Sequence, residues 1–371
     1  MSHVTKRVLA GGLAAVAAAG AYVGLTGGGT PAVAGQGART PIVIGHRGSS
    51  ALRPEHTLGS YKMAISQGAD FIEPDVVSTK DHVLVARHDN WLADTTDVES
   101  RPEFAALKKT KTIDGVSRTD WFTEDFTFAE LRKLRTEERI PALRPNNTVF
   151  NGLEQIPTVE EVVRLARDNH VGVYPETKHP TYFDGVGLSL EEPLVALLSK
   201  YGFKDPSDKV FIQSFETANL RDLRDRTKVR LIQLIDSTGA PYDFVASGDP
   251  RTYDDLVKPS GLRFVASYAD AVGPNTSRIV PVDANGRLGR PTTLIRDAHR
   301  LRLDVHTWTV RGENQQLPAD FRQGDPSAPG YERAIGNVNG WLALLYKLGV
   351  NGVFCDDPSA GVSARTAVSG S

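Results

Sequence analysis

Residues 43–89 read VIGHRGSSALRPEHTLGSYKMAISQGADFIEPDVVSTKDHVLVARHD, and this stretch decides the fold. A short apolar run, Ile42-Val43-Ile44, ends in Gly45-His46-Arg47-Gly48. Helical spacing follows at 57–67, where Leu58, Tyr61, Ala64 and Ile65 share a side. A second apolar run carries Glu73 and Asp75, and a third ends in His88-Asp89. Strand alternation sends residues i and i+2 to one face, so Glu73 and Asp75 point the same way. Two such carboxylates repel unless a cation sits between them, and hard divalent ions prefer oxygen ligands. His46 and His88 add two groups that exchange protons near neutral pH. Singly, a His is more often a surface or satisfied core residue, and Glu-x-Asp a solvated edge. Ionisable groups at three strand ends within one stretch weigh against that account and point to a site for cleaving a phosphate ester.

Working outward, strand and helix alternate along the chain. Strands are predicted at 42–45, 71–77, 172–176, 210–214, 230–235, 263–268, 303–310 and 352–355. Residues 83–87 form a short extra strand turned back on the second. Helices are predicted at 57–67, 157–169, 192–201, 218–226, 291–301 and 341–348. Thr158 with Glu161 three residues later is an N-cap signature for the second of these. Repeated βα units with apolar strands imply a parallel sheet. Eight strands imply a closed (β/α)8 TIM barrel of the α/β class, whose catalytic residues lie at the C-terminal strand ends. His46, Glu73, Asp75, Glu176, Gln213, Tyr268 and Trp308 fall at or near such ends. Residues 90–154 break the alternation: polar and punctuated by Pro, they form an insertion between the second strand and its helix.

The chain has 371 residues, 40% hydrophobic and 24% charged, with net charge −2. That composition is ordinary for a globular domain, and no basic excess speaks for nucleic acid. Cys355, the single cysteine, permits no intramolecular disulfide. Lys6-Arg7, an uncharged Ala/Gly-rich stretch at 8–25, and Ala32-Val33-Ala34 follow the pattern of a signal peptide cleaved before Gly35. The expected organisation is therefore a signal peptide at 1–34, a flexible lead-in at 35–41, the barrel domain at 42–362 and a tail at 363–371. Secretion follows as the expected location, without stable membrane association after cleavage.

The motifs resemble the glycerophosphodiester phosphodiesterase family, particularly its secreted or periplasmic bacterial branch. The resemblance rests on His46-Arg47-Gly48, Pro54-Glu55-His56-Thr57, Glu73-Pro74-Asp75, Thr79-Lys80-Asp81 and His88-Asp89. It continues in Tyr174-Pro175-Glu176-Thr177-Lys178, Gln213-Ser214-Phe215, Thr307-Trp308-Thr309-Val310, and Gly352-Val353-Phe354 with Asp356-Asp357-Pro358. These span about residues 40–362 in the family's order. One departure is His56, where much of the family has Asn.

The resemblance implies hydrolysis of small-molecule glycerophosphodiesters to sn-glycerol 3-phosphate and an alcohol, in lipid catabolism and phosphate or glycerol scavenging. It implies His46 and His88 as general acid and base, and Glu73, Asp75 and Glu176 as ligands of one divalent cation, Ca2+ or Mg2+. Arg47, Lys178, Gln213, Phe215 and Trp308 would bind substrate or its phosphate. Glu55 takes a supporting role at His46 or Arg47, while His56, His82, His179 and His306 stay unassigned. Two other accounts compete: a phospholipase D-like enzyme acting on intact lipids, and a binding protein on a catalytically dead barrel. The absence of a long exposed apolar stretch opposes the first, and the intact set of two histidines and three carboxylates opposes the second. The sequence leaves oligomeric state open.

Overall fold

In the computed structural model, which describes residues 40–370, the apolar run after Pro41 forms β1 (Ile42–His46). It pairs in parallel with β8 (Gly352–Cys355) on one side and with β2 on the other. β2 runs Phe71–Glu73 and Asp75–Ser78, interrupted at Pro74, which has no N–H to give to a ladder. β3 is broken likewise into Gly172–Val173 and Glu176–Thr177, around Tyr174-Pro175. Both halves still pair, Phe71 with Gly172 and Asp75 with Glu176. β4 (Phe211–Ser214), β5 (Arg230–Ile235), β6 (Ala271–Pro274) and β7 (Asp304–Val310) complete the ring to β8. Eight parallel strands therefore close as a TIM barrel among the described residues.

A helix follows each strand: α1 (Leu58–Ser66), α2 (Val159–Asp168), α3 (Glu191–Lys200), α4 (Thr217–Arg226), α5 (Pro259–Val265), α6 (Leu294–Arg300), α7 (Val338–Leu348) and α8 (Pro358–Ser369). Alternation along the strands splits the core in two. Val43, Ile72 and Val353 face the helices, while Ile44, Phe71, Tyr174, Phe211, Ile232 and Phe354 fill the barrel. Tyr174 stacks on Phe211 at 4.9 Å and meets Phe354 edge-on at 5.0 Å, plugging the interior. The same alternation carries His46, Glu73, Asp75, Glu176 and Gln213 to the layer above that plug, each two or four residues further along.

The sixth strand and its surroundings differ from the sequence expectation. Residues 263–268 are not a strand: Pro259 opens α5, which buries Leu262 and Val265 at helical spacing. The strand is the short Ala271–Pro274, where a Cβ on Gly273 would come within 2.6 Å of Leu234 Cδ2. Small residues are needed at that crowded wall, and they carry little strand signal. Tyr268 consequently precedes its strand rather than ending it, and its hydroxyl donates to Gln233 Oε1 at 2.8 Å. Helix α6 is also shorter than the expected 291–301.

The extra strand is Leu84–Ala86, antiparallel to Asp75–Ser78. Thr158 and Glu161 form the capping box at the start of α2. The insertion holds a hairpin, Lys109–Ile113 with Val116–Asp120, turned at Asp114-Gly115 where both φ are positive. Buried Phe104, Trp121 and Phe126 give it a core joined to the main one. Residues 363–369, expected as a tail, belong to α8 and bury Ala364. The segments expected as a signal peptide and most of the lead-in, residues 1–39, lie outside the described residues, as does Ser371.

Candidate active site

The turn leaving β1 sets the site. Arg47 and Gly48 both take positive φ, 57° and 91°, and a Cβ on Gly48 would lie 2.6 Å from the backbone carbon of Ser60. Only glycine lets this turn lie against the first turn of α1. The turn aims the Arg47 N–H at Glu73 Oε2, 2.7 Å away. The Arg47 side chain donates from Nη1 to Glu55 Oε2 at 3.0 Å, and its Nε is 3.6 Å from Asp75 Oδ2.

Glu73, Asp75 and Glu176 offer ligand oxygens that all lie within 4.8 Å of one another. All three are buried. Burial, then Asp75 and Glu176, pushes the Glu73 carboxyl well above its usual range. Burial raises Glu176 to about 8 with help from Asp75, although Lys178 Nζ donates to its Oε1 at 2.8 Å. Burial opposes ionisation of Asp75 as well, but Lys178 and then His56 hold it well below the carboxylate range. Asp75 Oδ1 is buried without a hydrogen-bond partner. Mutually repelling carboxylates with an unused oxygen fit a divalent cation, and this cluster could hold one. Gln213 Nε2 donates to Glu73 Oε1 at 3.2 Å, while its own Oε1 is buried without a partner.

Each histidine expected to carry a proton hangs from a carboxylate. His46 Nδ1 is 2.6 Å from Asp356 Oδ1, and His88 Nδ1 is 2.8 Å from Asp89 Oδ1. Burial opposes the ionisation of both acids, yet each is held well below its usual range, Asp356 first by Arg144 and Asp89 first by His88. Ionised carboxylates only accept, so the proton sits on Nδ1 of each ring and Nε2 is left to act. Burial, followed by the charge of Arg47, lowers His46 to about 4 and His88 to about 3. Lys178 Nζ lies 3.4 Å from His88 Nε2. Phe215 and Trp308 meet edge-on at 5.5 Å, with Lys178 Nζ 5.8 Å from the Phe215 centroid.

The sequence-derived residues are thus brought together, and Glu55 supports Arg47 rather than His46. His56, without a role from sequence, donates from Nε2 to Asp75 Oδ2 at 2.8 Å while Nδ1 accepts from the Tyr61 hydroxyl at 2.7 Å. It buttresses the carboxylate cluster. His306 is a core residue, bonded to the Tyr174 hydroxyl at 2.8 Å, and His179 pairs with Asp114.

A family model described as the glycerophosphoryl diester phosphodiesterase family matches residues 46–360. The chain belongs to this family. A glycerophosphodiester phosphodiesterase of Arabidopsis thaliana is 36% identical, covering 85% of this chain and 83% of the relative. One from Haemophilus influenzae is 29% identical, covering 86% and 88%. A solved Oleispira antarctica phosphodiesterase, in complex with the product sn-glycerol-3-phosphate, shares the fold with a TM-score of 0.53 at 20% identity, covering 88% of this chain and 96% of that one. Membership makes the chain a phosphoric diester hydrolase.

Sequence reasoning missed Asp356 as the partner of His46, although it lies within a quoted motif, Asp356-Asp357-Pro358. It also missed Arg139, Arg144 and Arg311, which bind the carboxylates behind the histidines. Arg139 and Arg144 lie in a stretch without periodicity or a quoted motif, and Arg311 lies one residue past Thr307-Trp308-Thr309-Val310.

Proposed function

We propose that the protein hydrolyses glycerophosphodiesters to sn-glycerol 3-phosphate and an alcohol, with one divalent cation held by Glu73, Asp75 and Glu176. The observation that carries this is the joining of a three-carboxylate cluster to two carboxylate-anchored imidazoles and two cations, Arg47 and Lys178, in one barrel mouth. The product named for the Oleispira protein supports glycerol phosphate as the conserved half of the substrate. When bound, the cation supplies positive charge to the phosphate oxygens; the oxygen ligands suit Ca2+ or Mg2+. Arg47 orients the phosphate with paired donors. One imidazole takes the proton of the attacking hydroxyl, from water or from the glycerol, on Nε2. The other acts as the acid only when it carries a second proton on Nε2, a form favoured once the anionic phosphodiester offsets Arg47 and Lys178, and gives that proton to the departing alcohol. Trp308 and Phe215 pack against the glycerol carbons.

The test is release of glycerol 3-phosphate from glycerophosphocholine by the purified mature chain. Release of phosphocholine instead, or no turnover with any glycerophosphodiester, would sink the assignment.

The favoured setting is outside the cytoplasmic membrane, serving lipid breakdown and phosphate or glycerol scavenging. Its support is the signal-peptide pattern at 1–34. N-terminal sequencing of exported protein should begin near Gly35; an intact Met1 on membrane-bound protein would contradict cleavage.

A further inference from the structure

The insertion between β2 and α2 reaches the barrel mouth through two arginines, Arg139 and Arg144. Arg139 donates from Nη1 to Asp89 Oδ2 and from Nη2 to Glu55 Oε1, both at 2.8 Å. Arg144 donates from Nη2 to Asp356 Oδ2 at 2.5 Å, from Nε to Glu313 Oε1 at 2.6 Å, and from Nη1 to the Ser50 carbonyl at 2.8 Å. In both cases the carboxylate's other oxygen, Oδ1, accepts from a histidine Nδ1. One arrangement therefore occurs twice: an imidazole, a buried carboxylate, and an arginine from the insertion.

We infer that Arg139 and Arg144 are positioning residues, each acting through one histidine, so that the insertion is part of the proton-transfer apparatus. The inference rests on the roles proposed above for His46 and His88. Its physical basis is the second carboxylate oxygen. An aspartate holding an imidazole by one oxygen can still rotate or take up a proton, and either change frees the ring. A guanidinium on the other oxygen prevents both, because it fixes the carboxylate plane and favours its charge. Burial makes the pairing matter more, since Asp89 and Asp356 are only 5% and 2% exposed.

The two halves are not equivalent. Arg311, from the loop after β7, donates from Nε to the same Asp356 oxygen at 3.0 Å. No second arginine contacts Asp89 among the described residues. Arg139 also shares Glu55 with Arg47, tying His88 to the phosphate-binding arginine. Losing Arg139 should therefore cost more turnover than losing Arg144, which Arg311 partly covers.

The bland alternative is that these ion pairs merely dock the insertion. It predicts lower melting temperatures with kcat per folded molecule unchanged. Double-mutant cycles on the full mature chain with glycerophosphocholine separate the two. Arg139→Ala should lower kcat about 10–100-fold, a share of the roughly 10²–10⁴ expected of general acid–base help, with KM less affected. In a His88→Ala background the same substitution should change kcat by less than about 3-fold, whereas in His46→Ala, where His88 still acts though with a reduced effect, it should cost several-fold more than it does in His88→Ala. Arg144→Ala should mirror this through His46. Arg139→Lys keeps the charge and one donor, so it should recover part of the loss and serves where the alanine variant does not fold. Equal losses in both histidine backgrounds, or unchanged kcat in Arg139→Ala, would overturn the inference. If the wild-type chain releases no glycerol 3-phosphate, or the histidine variants retain turnover, the functional assignment has failed and the inference falls with it. Normal function, essential histidines and additive arginine effects would reject the inference alone.

Discussion

His46→Ala and His88→Ala should each lower kcat by about 10²–10⁴, or roughly 3–5 kcal/mol of barrier, with metal affinity near wild type. The expectation follows from how each ring is held. Nδ1 is committed to Asp356 or Asp89, so each ring presents one nitrogen, Nε2, for proton transfer. The double variant should lose much less than the product of the single effects, because residues acting on one phosphate form a unit.

The pH dependence adds a sign. Burial and then Arg47 lower both rings, His46 to about 4 and His88 to about 3. Below its pKa a ring is protonated and its Nε2 cannot accept, so activity through that base falls as pH falls. The acid limb of kcat/KM, which reports the free enzyme, should lie near about 4 rather than about 6.5. An anionic phosphodiester bound against Arg47 and Lys178 offsets the charges that depress the rings. The acid limb of kcat should therefore stand at higher pH than that of kcat/KM. Coincident limbs near about 6.5, the ordinary imidazole value, would contradict this electrostatic account. Near-normal turnover in His88→Ala would remove His88, and with it the two-histidine scheme. A small rate effect accompanied by a large drop in melting temperature would instead make His88 a structural partner of Asp89.

The second large effect is loss of activity on metal removal. Chelation followed by dialysis should abolish hydrolysis, and adding back Ca2+ or Mg2+ should identify the ion that restores it. Glu73→Ala, Asp75→Ala and Glu176→Ala should each weaken metal binding by about 10–100-fold or more, since even outer partners of metal ligands contribute that much. The cluster's own energetics motivate this. Burial and mutual repulsion drive Glu73 and Glu176 upward, and Asp75 Oδ1 is buried without a partner. A cation offsets that repulsion, whereas Lys178 donates a hydrogen bond to only one of the three carboxylates, at Glu176 Oε1. Calorimetric titration of the apo chain, alongside turnover, is the check. Full activity in excess chelator after dialysis would remove the metal from the reaction.

Much of this was legible in the sequence because it depends on neighbours along the chain. Alternation put Glu73 and Asp75 on one face, apolar runs marked seven of the eight barrel strands, and the capping pair marked the start of α2. The sixth strand was not legible: Ala271–Pro274 is short and carries Gly273, whereas the preceding segment is more apolar and is a helix. Nor were the partners of the histidines. His46 and Asp356 are 310 positions apart, and Arg144 and Asp356 are 212 apart. His56 shows the same division at short range. Its neighbours along the chain imply nothing, yet it lies against Asp75 because α1 folds back over β2. The sequence by itself determined the barrel and the acids, bases and cations at its strand ends, since side-chain direction along a strand is a property of the local backbone. Which carboxylate holds which imidazole, and which arginine holds the carboxylate, was decided by barrel closure and by the packing of the insertion. Those steps bring oppositely charged groups into buried contact from positions that no local pattern connects.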